Sequence, residues 1–275
     1  MAKLLSAGAT DIGLRRSNNE DAYCVMPEIG LFGVADGMGG AAAGEVASKY
    51  FIEAARRVFG GEDSSGVPGI SADGESRNAA TVVSPAASCE RLVEKVFIQA
   101  NSLIAGHVVE HPHDEGMGCT ADLLVIHEDD YVIGHVGDSR VYLLREGNLS
   151  QLTKDHSLVQ LQVDNGELTA EEARHHPRKN ILFQVLGGSM GSAGRSSMNP
   201  PDTAVSFDLL RGKALDRDIF LLCSDGLTDM LEDADIREIL VSHKSIQHKV
   251  LKLIEKALAA GGRDNVTVVL CEVAA

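Results

Sequence analysis

The sequence predicts an α+β layered fold, and three observations carry that expectation. Strand-like and helix-like runs come in blocks instead of in strict alternation, which argues against a doubly wound sheet. Between 118 and 152, short apolar runs are separated by the polar turns Glu128-Asp129-Asp130 and Arg145-Glu146-Gly147-Asn148, the pattern of an antiparallel meander. An apolar fraction of 44% over 275 residues supports a sizeable core, and that core must be aliphatic because Trp is absent and aromatics make up 4%.

Taken in order, a first strand-like piece leads to Thr10 and the polar stretch through Arg15, Arg16 and Asn19 to Glu20 and Asp21, where a second strand-like run opens. Leu31 to Ala35 is apolar and ends abruptly at Asp36, followed by Gly37, Gly39 and Gly40. Gly44 to Phe59 carries Ala47, Tyr50, Phe51, Ala54, Ala55 and Val58 at helical spacing. The Gly, Ser, Ala and Pro-rich segment 60–88 reads as a flexible insertion. Cys89 to His111 is a second helix, with an apolar stripe through Val93, Phe97, Leu103 and Ile104. In the His111-Pro112-His113 cluster after it, two imidazoles could bind metal, but it reads first as a solvent-facing loop.

Strand-like runs follow over Ala121 to His127, Tyr131 to Val136, Arg140 to Leu144 and Leu149 to Leu152. The long segment 155–201 contains helical pieces and a glycine-serine run, and its length marks a flap attached to the sheet. Strands are expected over Ala204 to Leu210 and Asp218 to Cys223, helices over Asp233 to His243 and Ile246 to Ala260, and a last strand over Val266 to Val273. No repeat or linker divides the chain, so residues 1–275 are expected to form one domain.

The formal net charge of -15 argues against nucleic acid as a partner, because phosphate backbones are held by Lys and Arg. It leaves phosphorylated substrates open, since bound divalent cations reverse the local field. No apolar run approaches a membrane span, and the first eight residues are too short for a signal peptide, so a cytoplasmic protein is expected. Cys24, Cys89, Cys119, Cys223 and Cys271 are odd in number and set mostly among apolar residues, the pattern of reduced core thiols.

The chemistry is expected where acids stand at strand ends. Leu31 to Ala35 ends in Asp36-Gly37, Phe220 to Cys223 ends in Ser224-Asp225-Gly226, Ile133 to Gly137 ends in Asp138, and Asp264-Asn265 stands directly before Val266. Carboxylates gathered at one edge repel each other strongly, so the arrangement points to a hard divalent cation between them, a metal centre of one ion or two. In an extended backbone Glu20 and Asp21 point to opposite faces, so only one easily touches a given ion. Asp21 is preferred, with Glu20 nearby.

Seven ordered motifs in this chain resemble those of the metal-dependent protein phosphatases, the PPM or type 2C serine/threonine phosphatase family, and its compact bacterial members in particular. They are Arg16 with Asn19-Glu20-Asp21, Asp36-Gly37-Met38-Gly39-Gly40, Gly118-Cys119-Thr120-Ala121, Gly137-Asp138-Ser139-Arg140, Leu152-Thr153-Lys154-Asp155-His156, Ser224 to Asp229 and Gly262 to Thr267. The resemblance covers nearly the whole chain. It implies an αββα sandwich, two antiparallel sheets packed face to face with helices outside. It also implies that Asp21, Asp36, the Gly37 carbonyl, Asp225 and Asp264 hold two Mn2+ or Mg2+ ions, with Glu20 acting through metal-bound water. Asp138, Asp225 and Asp229 would supply a third, weaker site, and Arg16 would hold the substrate phosphate. The implied reaction is hydrolysis of phosphoserine and phosphothreonine in proteins by a metal-bridging hydroxide, opposing a bacterial Ser/Thr kinase, in a monomer. The alternative is a non-catalytic phosphoprotein-binding regulator on the same fold. The chain departs from the family pattern at Met38, where eukaryotic members carry His, at Cys119, where Thr or Ser is common, and in the insertions.

Overall fold

This computed structural model describes residues 3–39, 43–60, 85–187 and 205–274. The body of the expected insertion, 61–84, and the glycine-serine run from 188 onward lie outside the described residues. The chain opens with β1 (Lys3–Asp11), β2 (Asp21–Met26) and β3 (Leu31–Met38), then α1 (Ala43–Gly60) and α2 (Pro85–Glu110). The central block is β4 (Gly118–Cys119), β5 (Ala121–His127), β6 (Asp130–Val136), β7 (Arg140–Arg145) and β8 (Asn148–Gln151). The flap region contributes α3 (Leu158–Asp164) and α4 (Ala170–Arg174), whose first turns are capped by Ser157 and Thr169. After β9 (Asp208–Lys213) and β10 (Ile219–Cys223) come the short α5 (Asp225–Thr228), then α6 (Asp233–Val241), α7 (Ile246–Ala259) and β11 (Val266–Ala274).

All sheet pairings are antiparallel, in two sheets. One has the order β1-β11-β10-β7-β8 and the other β2-β3-β5-β6-β9, with β4 paired to the end of β3. The alternation of side chains along each strand divides the core into three layers. Phe220 and Leu222 of β10 meet Phe32, Leu124 and Ile133 of the other sheet in the layer between the sheets. Ile219, Leu221 and Cys223 of the same strand face the opposite way, onto Ile236, Val250, Leu253 and Ala257 of α6 and α7. Phe51, Val93, Phe97 and Ala100 of α1 and α2 cover Leu123, Val125 and Val132 on the outer face of the second sheet. Central strands buried on both faces are apolar throughout, which is why β10 reads as an unbroken hydrophobic run. The result is the expected αββα sandwich.

One strand differs from expectation. The run expected from Ala204 to Leu210 is a strand only over Asp208–Lys213. Its apolar residues Val205 and Phe207 pack instead against the helix layer, where the Phe207 ring stacks on Phe97 at 4.3 Å. The β9 backbone pairs with β6 along an edge where its side chains stay exposed or half-buried, so the strand carries little hydrophobic signature.

Phe220 is fully buried between the sheets. Phe220→Ala is expected to lower stability by about 3–5 kcal/mol, because the cavity would lie between two stiff sheets. Urea unfolding monitored by far-UV circular dichroism measures it, and a loss below about 1 kcal/mol would show that this layer does not hold the sandwich together.

Candidate functional site

Strand ends from both sheets meet at one end of the sandwich. Asp21 opens β2 directly opposite Asp36 near the end of β3. Asp138 follows β6, Asp225 follows the end of β10 as the first residue of α5, and Asp264 stands just before β11. Together they open on a cleft of about 410 Å3 lined by Arg16, Glu20, Asp36, Gly37, Asp138, Asp225 and Asp264, with Met38, Thr120, Asn180 and Leu182 at its walls. Gly37 carries a close approach: a Cβ there would lie 2.1 Å from the Gly44 carbonyl oxygen and 2.7 Å from that of Glu20. Only glycine lets this backbone pass between β2 and α1 into the cleft wall.

The geometry sets two of the expected metal residues, Asp21 and Asp229, outside the cleft lining. Glu20, not Asp21, lines the cleft. Asp21 is buried beneath it, where its Oδ2 accepts hydrogen bonds from Thr267 Oγ1 at 2.6 Å and Ser224 Oγ at 2.8 Å. The alternation of a strand separates the two acids onto opposite faces, but only the packing of β2 against β11 shows which face is the floor. Asp229 lies outside the cleft, in an adjoining cavity of about 670 Å3 beneath α3 and α4 that shares Asp138, Asn180 and Asp225 with it. The ammonium group of Lys179, from the flap region, forms an ion pair with Asp229 there.

Several residues that the sequence offered only as members of its motifs, with no role of their own, position these acids. Asn265 is buried and clamps the 12–20 segment: its Oδ1 accepts from the Glu20 amide at 2.8 Å, and its Nδ2 donates to the carbonyls of Ile12 and Asn18 at 2.9 Å each. Thr120, inside a motif that was noted, accepts a hydrogen bond from the Asp36 amide at 2.9 Å while its own amide donates to the Asp36 carbonyl at 2.8 Å. Gly226 packs so tightly that a Cβ would lie 1.9 Å from the Asn265 carbonyl oxygen, which locks the Asp225 turn to the segment holding Asp264. The Leu152 to His156 motif serves the flap: Arg140 donates twice to the Asp155 carboxylate, at 2.9 and 2.7 Å, and His156 Nδ1 accepts from the Gly137 amide at 3.1 Å.

Electrostatics mark the cleft as strained in charge. Burial, then the charges of Asp21, Asp225, Asp138 and Asp264, push the Asp36 carboxyl well above its ordinary pKa. Asp225 is likewise raised by burial first and then by the charges of neighbouring acids, Asp138 and Asp229 foremost. Asp138 is pushed up to about 7 by burial and Asp155, against the pull of Arg140. Asp21 is raised to about 6 by burial, although the hydrogen bonds from Thr267 and Ser224 favour its charge. The only cation lining the cleft among the described residues is Arg16, paired with Asp264 at 2.6 Å.

The donor set fits a hard divalent cation. It consists of carboxylates and a nearby backbone carbonyl, and the Oδ1 atoms of Asp21 and Asp225 are buried without a hydrogen-bond partner. Among the described residues, no three Asp, Glu, His or Cys side chains already converge as a ligand group. A bound cation would offset the repulsion among these acids.

The family model described as Protein phosphatase 2C matches residues 15–260. The chain belongs to that family. Serine/threonine protein phosphatase PstP of Mycobacterium tuberculosis is 36% identical over 97% of this chain, which spans 44% of that relative's length. The serine/threonine phosphatase stp of Listeria innocua is 35% identical over 96% of this chain and 93% of its own length. Among solved family structures, the catalytic domain of PstP in complex with two manganese ions superposes with a TM-score of 0.78 at 35% identity, covering 99% of both chains. The two antiparallel sheets with outer helices described here are thus the phosphatase 2C fold. Among the described residues no helix is long and apolar enough to cross a membrane.

The raised carboxyl groups fix the sign of a pH effect. An acid whose pKa is higher folded than unfolded retains its proton while the unfolded chain loses one, so stability falls as pH rises from about 4 towards 7. A cation that takes over these carboxylates relieves the cost, and it competes with fewer protons at higher pH. The rise in Tm on adding Mn2+ to chelator-treated protein is therefore expected to be several degrees larger at pH 7.5 than at pH 5.5. Scanning calorimetry at both values decides it, and equal shifts would remove the carboxyl cluster from the metal centre.

Proposed function

We propose that this chain hydrolyses phosphoserine and phosphothreonine in proteins, using Mn2+ or Mg2+ ions held by Asp36, the Gly37 carbonyl, Asp225 and Asp264. In this reading Glu20 faces the same ions from the rim, Asp21 supports the floor, and Asp138 with Asp229 offers a weaker additional position. The observation that carries it is the cleft itself: mutually repelling carboxylates from the ends of both sheets, with one arginine beside them. The bacterial relatives bear serine/threonine phosphatase names, and one is solved with two manganese ions, which supports both the substrate class and the cofactor. Opposition to a bacterial Ser/Thr kinase, action as a single catalytic domain and as a monomer, and a cytoplasmic location complete the reading.

When bound, divalent cations supply Lewis acidity towards phosphoryl oxygens and lower the pKa of a coordinated water. The chain's own residues do the remaining work. Arg16, half-exposed at the rim, presents a planar fork of donors that suits two phosphoryl oxygens at once. The described lining contains no Cys, His or Lys, so the chain offers no thiolate to attack phosphorus and only carboxyl groups for holding a proton. Cys223, although two residues from Asp225, is buried in the helix layer, and burial pushes its thiol pKa up. In this reading water attacks: its oxygen forms the new bond to phosphorus while the bond from phosphorus to the seryl or threonyl oxygen breaks, and that oxygen leaves with a proton given up by the water. Met38 at the wall supplies no proton for it. Asn180 and Leu182 of the flap region line the same cleft; in this reading they contact the residues flanking a phosphosite.

Asp36→Asn is expected to lower kcat on a phosphothreonine peptide by on the order of 10^3 or more, because it removes an acid that faces the ions from the cleft centre. The same change should raise the Tm of the chelated protein at pH 7.5, since it also removes a repelling charge. Phosphate release with Mn2+, Mg2+ or chelator, together with calorimetry, reads both effects, and near wild-type turnover would refute the metal assignment.

Arg16→Ala is expected to raise KM about tenfold or more with a smaller fall in kcat, as befits a group that grips the phosphoryl oxygens before and during the reaction. Initial-rate kinetics on the same peptide test it, and an unchanged KM would place the phosphate elsewhere.

A further inference from the structure

The carboxylate cleft offers only oxygen donors, whereas the far end of α2 gathers imidazoles. His107 lies in the last turn of α2 and His111 follows one turn later, the His111 amide still donating to the His107 carbonyl at 2.8 Å. The next turn folds back, with the Asp114 amide donating to the His111 carbonyl at 2.9 Å. This brings the Asp114 carboxylate between two imidazoles: its Oδ2 lies 2.9 Å from His107 Nε2 and its Oδ1 lies 3.5 Å from His113 Nε2. The rings of His107 and His111 are 4.4 Å apart, and those of His111 and His113 are 5.9 Å apart.

On the other side of His107, Nδ1 is 3.1 Å from the Tyr50 hydroxyl of α1. A ligating histidine commonly uses its second ring nitrogen in this way, to fix the ring and its tautomer. With no ion bound, Nε2–H donates to the Asp114 carboxylate and Nδ1 accepts from the Tyr50 hydroxyl; an ion at Nε2 displaces that proton, and the Tyr50 oxygen then accepts from Nδ1–H. We propose that His107, His113 and Asp114 form a second cation site, separate from the catalytic cleft, for a borderline divalent ion of the zinc and copper class, with His111 placed to complete it.

The spacing supports this. Ligands at roughly 2.1 Å from a tetrahedral ion stand about 3.4 Å from one another; His107 Nε2 lies 2.9 Å from Asp114 Oδ2 and His113 Nε2 lies 3.5 Å from Oδ1, so two imidazoles flank one carboxylate without yet meeting at a common point. The three groups now bond to one another instead of converging, so an ion requires the 2.9 Å contact to open by about half an ångström. His113 is free to move because its side chain is 77% exposed. Two neutral imidazoles and one carboxylate select zinc or copper over magnesium and manganese, which prefer all-oxygen sites. All five cysteines are buried, so no surface thiolate competes for such an ion.

The test must see this site past the catalytic one. The full chain, saturated with Mg2+ to fill the carboxylate cleft, is titrated with Cu2+ and followed by electron paramagnetic resonance, where imidazole nitrogens give couplings that carboxylates do not. One equivalent of nitrogen-coordinated Cu2+, displaced by Zn2+, is expected. His113→Ala and Asp114→Asn should each weaken binding at least tenfold with circular dichroism and Mg2+-dependent activity unchanged. Tyr50→Phe, which keeps every ligand but loses the orienting hydroxyl, should weaken it about tenfold. Absence of nitrogen coupling, or coupling undiminished in the His113→Ala, Asp114→Asn double variant, would overturn the proposal and leave the cluster as a helix cap.

Discussion

Like charges held close together in a poorly solvated cleft are the constraint around which this molecule is built. Asp36, Asp138 and Asp225 each have a raised pKa, caused first by burial and then by neighbouring acids: Asp21 and Asp225 at Asp36, Asp155 and Asp229 at Asp138, and Asp138 and Asp229 at Asp225. Such a cluster is unfavourable to folding by itself, because every carboxylate loses water and gains a repelling neighbour. The fold tolerates it by placing each acid on a separate strand end, so that no single element has to carry two charges into the cleft. The sandwich architecture makes this possible, since strands from two stacked sheets end at the same edge.

Holding mutually repelling groups in place requires bonds that do not involve their charges. Thr120 grips Asp36 through the backbone, Asn265 holds the segment carrying Glu20 by three hydrogen bonds, and Ser224 with Thr267 occupies one oxygen of Asp21 from below. The Thr120 and Asn265 bonds run to backbone groups, so they do not depend on whether the cleft is charged, whereas those of Ser224 and Thr267 favour the charged form of Asp21. Glycine at 37 and 226 serves the same end by removing side chains where two backbones must touch. The floor of the cleft is rigid because its polar groups are mostly satisfied, and the atoms left unsatisfied, Oδ1 of Asp21 and of Asp225, belong to the acids themselves.

Much of this was legible in the sequence, for identifiable reasons. An apolar run that stops at Asp-Gly marks a buried strand with a charge at its tip, and Asp36 and Asp225 could be read from that pattern alone. Helices α1, α2, α6 and α7 were legible because each is apolar on one face. What escaped was whatever depends on contacts between residues distant in sequence. The choice between Glu20 and Asp21 turns on β11 lying under β2, more than 200 residues away. Asn265 carries no periodic signal, since its partners are backbone groups at 12, 18 and 20. The bounds of edge strand β9 were read several residues too early because pairing on one side does not require an apolar face.

The position of Arg16 shows how binding and charge balance are connected. Its guanidinium bonds to Asp264, so with no phosphate bound it offsets part of the cluster's charge. A half-exposed ion pair of this kind contributes only about 1 kcal/mol or less, because water screens it and a long side chain must be held still. A phosphoryl group brings at least two oxygens to the same fork, so it can displace Asp264 at small cost. The aspartate released in that exchange regains a full carboxylate facing the cleft, where a cation is its natural partner. In the proposed reading substrate and metal would compete for neither group, the phosphate taking the arginine and the ion the aspartate, so occupancy of each position would favour the other.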